Sequence, residues 1–257
     1  MKNIKDQNEI TVLKEAGNKK TKFELQSRRK KTLIALFLLV TCSLTVSAQK
    51  SAVLSALSKY NIDASILNAD NIQQPEDFAF DFKQTTVTAG KQIVTIAKYD
   101  PSGPKEEQWT VVSVDGKSPS KGDINTFRKN QSKEVKSTQT DESSYKVEKE
   151  SADYLMISYK IDQASIPKDA AFMKDCRSYM TINLKTKKIE QVQVINEKPV
   201  RIKILNAEKF DLVIKYTKND QSKRYLPVSQ ELNMLAKFIG QEVTVQTITE
   251  YSNYTKK

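Results

Sequence analysis

The spacing of apolar residues along the chain changes period near Phe78. Before it, residues 52–67 (AVLSALSKYNIDASIL) place Val53, Leu54, Leu57, Ile62 and Ile66 at near-helical steps, which predicts a short amphipathic helix packed on something larger. After it, apolar and polar positions alternate. Residues 78–88 (FAFDFKQTTVT) put Phe78, Phe80 and Phe82 on one face of a strand, and residues 91–99 form a second strand beyond the turn Ala89-Gly90. The loop Asp100-Pro101-Ser102-Gly103-Pro104 precedes a third strand, WTVVSV, which ends at the tight-turn pair Asp115-Gly116. Ser118-Pro119 then leads into a helix containing Ile124, Phe127 and Arg128, with Ser120 or Asp123 as its cap.

Residues 129–144 are polar and lysine-rich and read as a loop or fraying helix end. Beyond them the chain reads mostly as strand. SYKVEKES and DYLMISYKI form one hairpin, and IPKDAAFMKDC is a loop with one helical turn. SYMTINL and KIEQVQVIN form a second hairpin around Lys185-Thr186-Lys187-Lys188. RIKIL, EKFDLVIKYTK, RYLPVSQELNML and QEVTVQTITEYSNY follow, with turns at Asn206-Ala207, Asn219-Asp220 and Ile239-Gly240. Strict alternation means one buried and one wet face, the mark of an antiparallel sheet. The expectation is a mainly β, α+β domain over residues 49–257, with about ten strands and two or three short helices on one face.

Residues 28–49 change the address. Arg28-Arg29-Lys30-Lys31 precede an apolar run from Thr32 to Val40 and the small-residue site Val46-Ser47-Ala48, the three-part layout of a secretory signal peptide. Cleavage is expected between Ala48 and Gln49, with residues 1–48 serving as a cytoplasmic lead and signal. Two alternatives remain: an anchor retained through residues 32–48, which falls short of the ~20 apolar residues of a membrane span, and lipidation at Cys42. The expected location is exported, in the periplasm.

That removal alters the charge balance. The whole chain carries a net charge of +11, with 42 Lys+Arg and 31 Asp+Glu. Residues 1–48 hold ten of those cations and four of those anions, so 32 − 27 leaves +5 on the remainder. Its lysines are interleaved with acids, which is not a nucleic-acid footprint. The chain has no histidine and two cysteines, of which only Cys176 lies beyond the signal segment. Cys-His and Ser-His catalytic pairs and Cys/His zinc sites are therefore excluded. Glu106-Glu107 and Asp141-Glu142 are adjacent carboxylates in polar stretches, where neighbouring side chains diverge instead of facing one cleft. No glycine-rich phosphate loop is present. Neither a cofactor nor catalysis is expected.

The block YDPSGPKEEQWTVVSVDGKSPSKGDINTFRKN is similar to one in uncharacterised exported proteins of Gram-negative bacteria. The C-terminal strand series, SYMTINLKTKKIEQVQV through FDLVIKYTK, RYLPVSQEL and TVQTITEYSNY, resembles the lipoprotein-sorting, outer-membrane lipoprotein carrier-like superfamily. That resemblance implies an unclosed antiparallel half-barrel whose helices cover an apolar concave face that binds acyl chains. The implied function is non-catalytic binding or carrying of a lipid, acyl chain or lipoprotein, with only transient or partner-mediated membrane contact. The alternative is an envelope protein using the same sheet for protein contacts. Val53, Leu57, Phe78, Phe80, Phe82, Trp109 and Phe127 are the candidate apolar lining.

Overall fold

The computed structural model describes residues 49–72, 76–131 and 138–257, so the proposed signal segment, Ala48 and Cys42 lie outside the described residues. Residues 49–59 form α1 and Lys121–Gln131 form α2. Eleven strands among the described residues make one sheet: β1 Phe78–Thr88, β2 Lys91–Tyr99, β3 Trp109–Val114, β4 Thr140–Glu150, β5 Tyr154–Ile161, β6 Cys176–Asn183, β7 Lys188–Asn196, β8 Val200–Ile202, β9 Leu205–Lys218, β10 Tyr225–Phe238 and β11 Gln241–Lys256. All pairings are antiparallel, in the order β3-β2-β1-β11-β10-β9-β7-β6-β5-β4, with β8 beside β9. The sheet does not close on itself. It is the antiparallel sheet the alternation predicts, open as in the half-barrel that the resemblance implies, with β3 and β4 as its free edges.

Two hairpins turn on successive left-handed residues, Ala89-Gly90 (φ +49° and +76°) and Ile239-Gly240 (φ +48° and +77°). Two positive φ values in a row match the right-handed strand twist, and glycine takes the second position without a Cβ clash. Other turns differ from expectation. The turn assigned to Asn206-Ala207 lies earlier, at Lys203-Ile204, because Ile202 pairs with Leu205 and Val200 with a fully buried Ala207. The polar run 129–144 is helix through Gln131 and strand from Thr140, where the backbone pairs with β5. β4 is an edge strand, and there a polar sequence is no bar to pairing. Ser144 shows the compensation: its Oγ accepts from Lys160 N at 2.7 Å where the register shifts.

α1 buries Val53 (0% exposed) and Leu57 (1%) while Leu54, one step round the helix, is 37% exposed, against expectation. The helix stops because Asn61 adopts φ +52°. Asn61 N then donates to Ser58 O at 3.0 Å and Ile62 N to Leu57 O at 2.9 Å, a Schellman closure whose apolar ends, Leu57 and Ile62, share one core. A 3-10 turn, Ala64–Leu67, carries Ile66 into the same core. Each helix is fastened to one edge strand. α1 spans β4 through the ion pairs Lys50–Glu142 and Lys59–Glu150. α2 is held to β3 by Arg128 Nε donating to Trp109 O at 3.0 Å. Its N-terminus is a reciprocal cap: Asp123 N donates to Ser120 Oγ at 3.2 Å, and Ser120 N to Asp123 Oδ2 at 2.9 Å.

Candidate functional site in the concave face

The buried apolar residues separate into two clusters on the helix-bearing face. The larger is aliphatic and lies on β4–β7, β9 and β10 beneath α1; it includes Val53, Leu57, Ile157, Met180, Ile182, Val192 and Phe210. The smaller is aromatic and lies on β1–β3 and β11 beneath α2. Phe80, Phe82 and Trp109 form its centre, with Tyr99, Phe127, Tyr251 and Tyr254 against them. The seven residues expected to line one surface are thus divided. Val53 and Leu57 belong to the aliphatic cluster, while Phe80, Phe82, Trp109 and Phe127 belong to the aromatic one. Phe78 packs at its margin, edge-on to Tyr254 at 6.3 Å. The rings fill one another's space: Phe82 lies 5.4 Å from both Trp109 and Phe127, and Phe80 lies 5.3 Å from Tyr254.

A backbone irregularity makes that cluster. In β11 the register shifts opposite Ala79/Asp81, and Asn253 takes φ +56°. One extra residue inverts the strand's phase, so Tyr251 and Tyr254, three positions apart, face the same way. Asn253 Nδ2 donates to Asp81 Oδ2 at 2.7 Å and pins the bulge on the convex side.

Between the two clusters the concave face turns polar. Cross-strand register places Thr95, Gln84, Thr249 and Gln230 in one row that continues into Ile214, Val192, Met180 and Ile157. The next row runs Ile93, Thr86, Thr247, Leu232, Leu212 and Val194. The sequence reading missed this patch by taking polar strand residues as wet-face residues. The signal was there: continuing the Phe78, Phe80, Phe82 alternation by two and four residues reaches Gln84 and Thr86.

Two tyrosines border the patch. Tyr216 and Tyr251 retain some accessible surface, yet burial pushes the Tyr251 phenol up to about 12 and the Tyr216 phenol above its ordinary range. Tyr251 donates to Gln230 Oε1 at 3.5 Å, and Tyr254 donates to Pro227 O at 2.7 Å.

Elsewhere the polar groups pair off. On the convex face Ser158, fully buried, donates to Glu148 Oε1 at 2.7 Å and accepts from Arg177 at 3.1 Å, while Arg177 also donates to Glu197 at 2.9 Å. Lys146, then Ser158, hold the Glu148 carboxyl below its ordinary range; Lys160, then Arg177, do the same for Glu197. This cluster braces β4, β5 and β6. Glu106 and Glu107 are exposed, Asp141 accepts from Ser143, and Glu142 pairs with Lys50, so neither acidic pair forms a two-carboxylate cleft. Among the described residues no three His, Cys, Asp or Glu groups gather as a metal centre. Cys176 is buried, its Sγ near Phe172 O at 3.7 Å, and burial pushes its thiol up to about 11.

No protein-family model matches the chain, and no curated protein matches it. Among solved structures, the crystal structure of a DUF1329 family protein from Desulfovibrio piger aligns over 78% of this chain and 92% of that one, with a TM-score of 0.34 and 10% identity. A likeness that distant carries no argument about function, and it does not single out the lipoprotein-carrier superfamily.

Proposed function

We propose that this is a non-catalytic binding or carrying protein of the cell envelope that takes a lipid, acyl chain or lipoprotein into its half-barrel. The observation that carries the reading is the unclosed concave face itself, with an aliphatic cluster under one helix and an aromatic cluster under the other. An acyl chain leaving water for such an apolar face is stabilised by ~0.8 kcal/mol per methylene. The helices fastened to opposite edges are the parts that move for loading. The signal-peptide layout supports export, with the mature chain starting at Gln49 and membrane contact transient or through envelope partners.

The test is native mass spectrometry of the exported protein together with titration of a fluorescent fatty-acid probe. A mature mass starting at Gln49, co-purified lipid or saturable probe binding, and weaker binding in Leu57→Glu or Phe127→Glu are expected. An intact residue 1–48 segment would favour the anchor, and a mass including lipid on Cys42 would establish tethering. If no lipid co-purifies and no probe saturates, the carrier reading fails, and a protein-contact role for the sheet replaces it.

A further inference from the structure

We infer that the polar end of the ligand is uncharged: the half-barrel takes a nonionic amphiphile, an acyl chain carrying hydroxyl and ester or amide groups, in preference to a fatty acid or phospholipid. This rests on the carrier reading above and specifies its ligand. The concave face between the clusters offers Gln84, Thr86, Thr247 and Gln230, with Thr249 buried among them and the Tyr251 phenol beside them. None of these side chains is charged.

Ionic residues next to the patch on the same strands alternate to the convex side, where Lys83 pairs with Glu250 at 2.8 Å and Lys98 with Asp81 at 3.3 Å, while Lys91 shares the concave face only at the hairpin tip, opposite Thr88. Arg128, at the foot of α2, spends its Nε on the Trp109 carbonyl. A carboxylate or phosphate seated on these carboxamides and hydroxyls would lose its water with no cation among the patch's own side chains to replace it, a far larger cost than burying a hydrogen-bonded hydroxyl. Carboxamides and hydroxyls both donate and accept, so they are satisfied by groups that do the same; an anion, which only accepts, leaves the glutamine carbonyls unmet.

The patch is also loosely bonded to itself. Gln84 Nε2 to Thr249 Oγ1 is 3.3 Å, Thr86 Oγ1 to Thr247 Oγ1 is 3.3 Å, and Tyr251 to Gln230 is 3.5 Å. These contacts sit at the long end of hydrogen bonding, so exchanging them for a ligand's groups sacrifices little.

The experiment is calorimetric titration of the wild-type protein with three probes of matched medium-length chain: a 1-monoacylglycerol, the fatty acid ionised at about pH 8, and a lysophosphatidylglycerol. The monoacylglycerol should bind at least ~10-fold more tightly than either anion. Gln230→Leu and the near-isosteric Thr247→Val should each reduce that advantage, and Gln230→Lys should turn preference toward the fatty acid. Equal or tighter binding of an anionic probe by the wild type, or an advantage untouched in both Gln230→Leu and Thr247→Val, overturns the inference and leaves the carrier reading standing. Failure of all three probes to bind overturns the carrier reading itself.

Discussion

Replacing Phe82 with alanine tests whether the two clusters are separate stabilising units. Phe82 is 3% exposed, and its ring meets Trp109 at 5.4 Å, Phe127 at 5.4 Å and Tyr251 at 5.7 Å. A buried Phe→Ala change costs about 3–5 kcal/mol, cavity included, and three lost ring pairs place this site toward the upper end. That is a large part of a typical ~5–15 kcal/mol total. Trp109, the sole tryptophan, sits inside the affected cluster, so its fluorescence reports that end of the sheet while far-UV circular dichroism reports the whole. In urea, with a slope of about 2 kcal/mol per molar, the fluorescence midpoint should fall by about 2 M. The circular-dichroism midpoint should fall less, because the polar rows interrupt the apolar contact between the clusters. A change below about 1 kcal/mol on both probes would refute the packing account. Coincident large shifts on both would refute the separation.

The other predictions concern protons, the thiol and the cap. Burial holds Tyr159, Tyr216, Tyr251 and Tyr254 neutral beyond the ordinary phenol range; below about pH 10 both folded and unfolded phenols are protonated and this stability is fully present. As pH rises past that point the unfolded chain ionises first, so stability should fall between about pH 10 and the folded value of about 12 for Tyr251, that group alone losing about 3 kcal/mol; denaturant midpoints flat across that window would contradict the burial of these phenols. The Cys176 thiol, buried and raised to about 11, should resist a thiol reagent at neutral pH until the protein unfolds, and Cys176→Ser should leave probe binding unchanged; rapid labelling of the native protein, or lost binding in the serine variant, would show an active thiol. Ser120→Ala should cost about 1 kcal/mol by opening the reciprocal cap of α2, and an unchanged urea midpoint would show that α2 is held by Phe127 and Arg128 alone.

Alternation made the sheet legible, since period-two runs with turn pairs between them leave few other folds open. Gly90 and Gly240 marked their hairpins because those positions need positive φ. The Phe78, Phe80, Phe82 triplet announced a buried face, but its partners did not announce themselves. Tyr251 and Tyr254 are out of phase in a regular strand and come together only through the bulge at Asn253. Gln84, Thr86, Thr247 and Gln230 were hidden for another reason: a polar residue inside a half-barrel and one outside it look alike until register assigns the face. The strand Thr140–Glu150 was obscured because an edge strand draws its order from backbone pairing, to which its polar side chains contribute no periodic signal.

The junction of β1 with β11 has a consequence for the order of assembly. Among the described strands, the β1–β2–β3 meander pairs with the remainder of the sheet through β11 alone, across a separation of more than a hundred and fifty residues between Phe82 and Tyr251. Loop-closure entropy of that span must be met before the contact returns anything. As the chain is synthesised, the meander therefore waits with Phe80, Phe82 and Trp109 short of two of their ring partners, while β4–β10 can already pair. The last strand acts as the fastener of the fold. Before it docks, the aromatic end is the surface most exposed to misassociation.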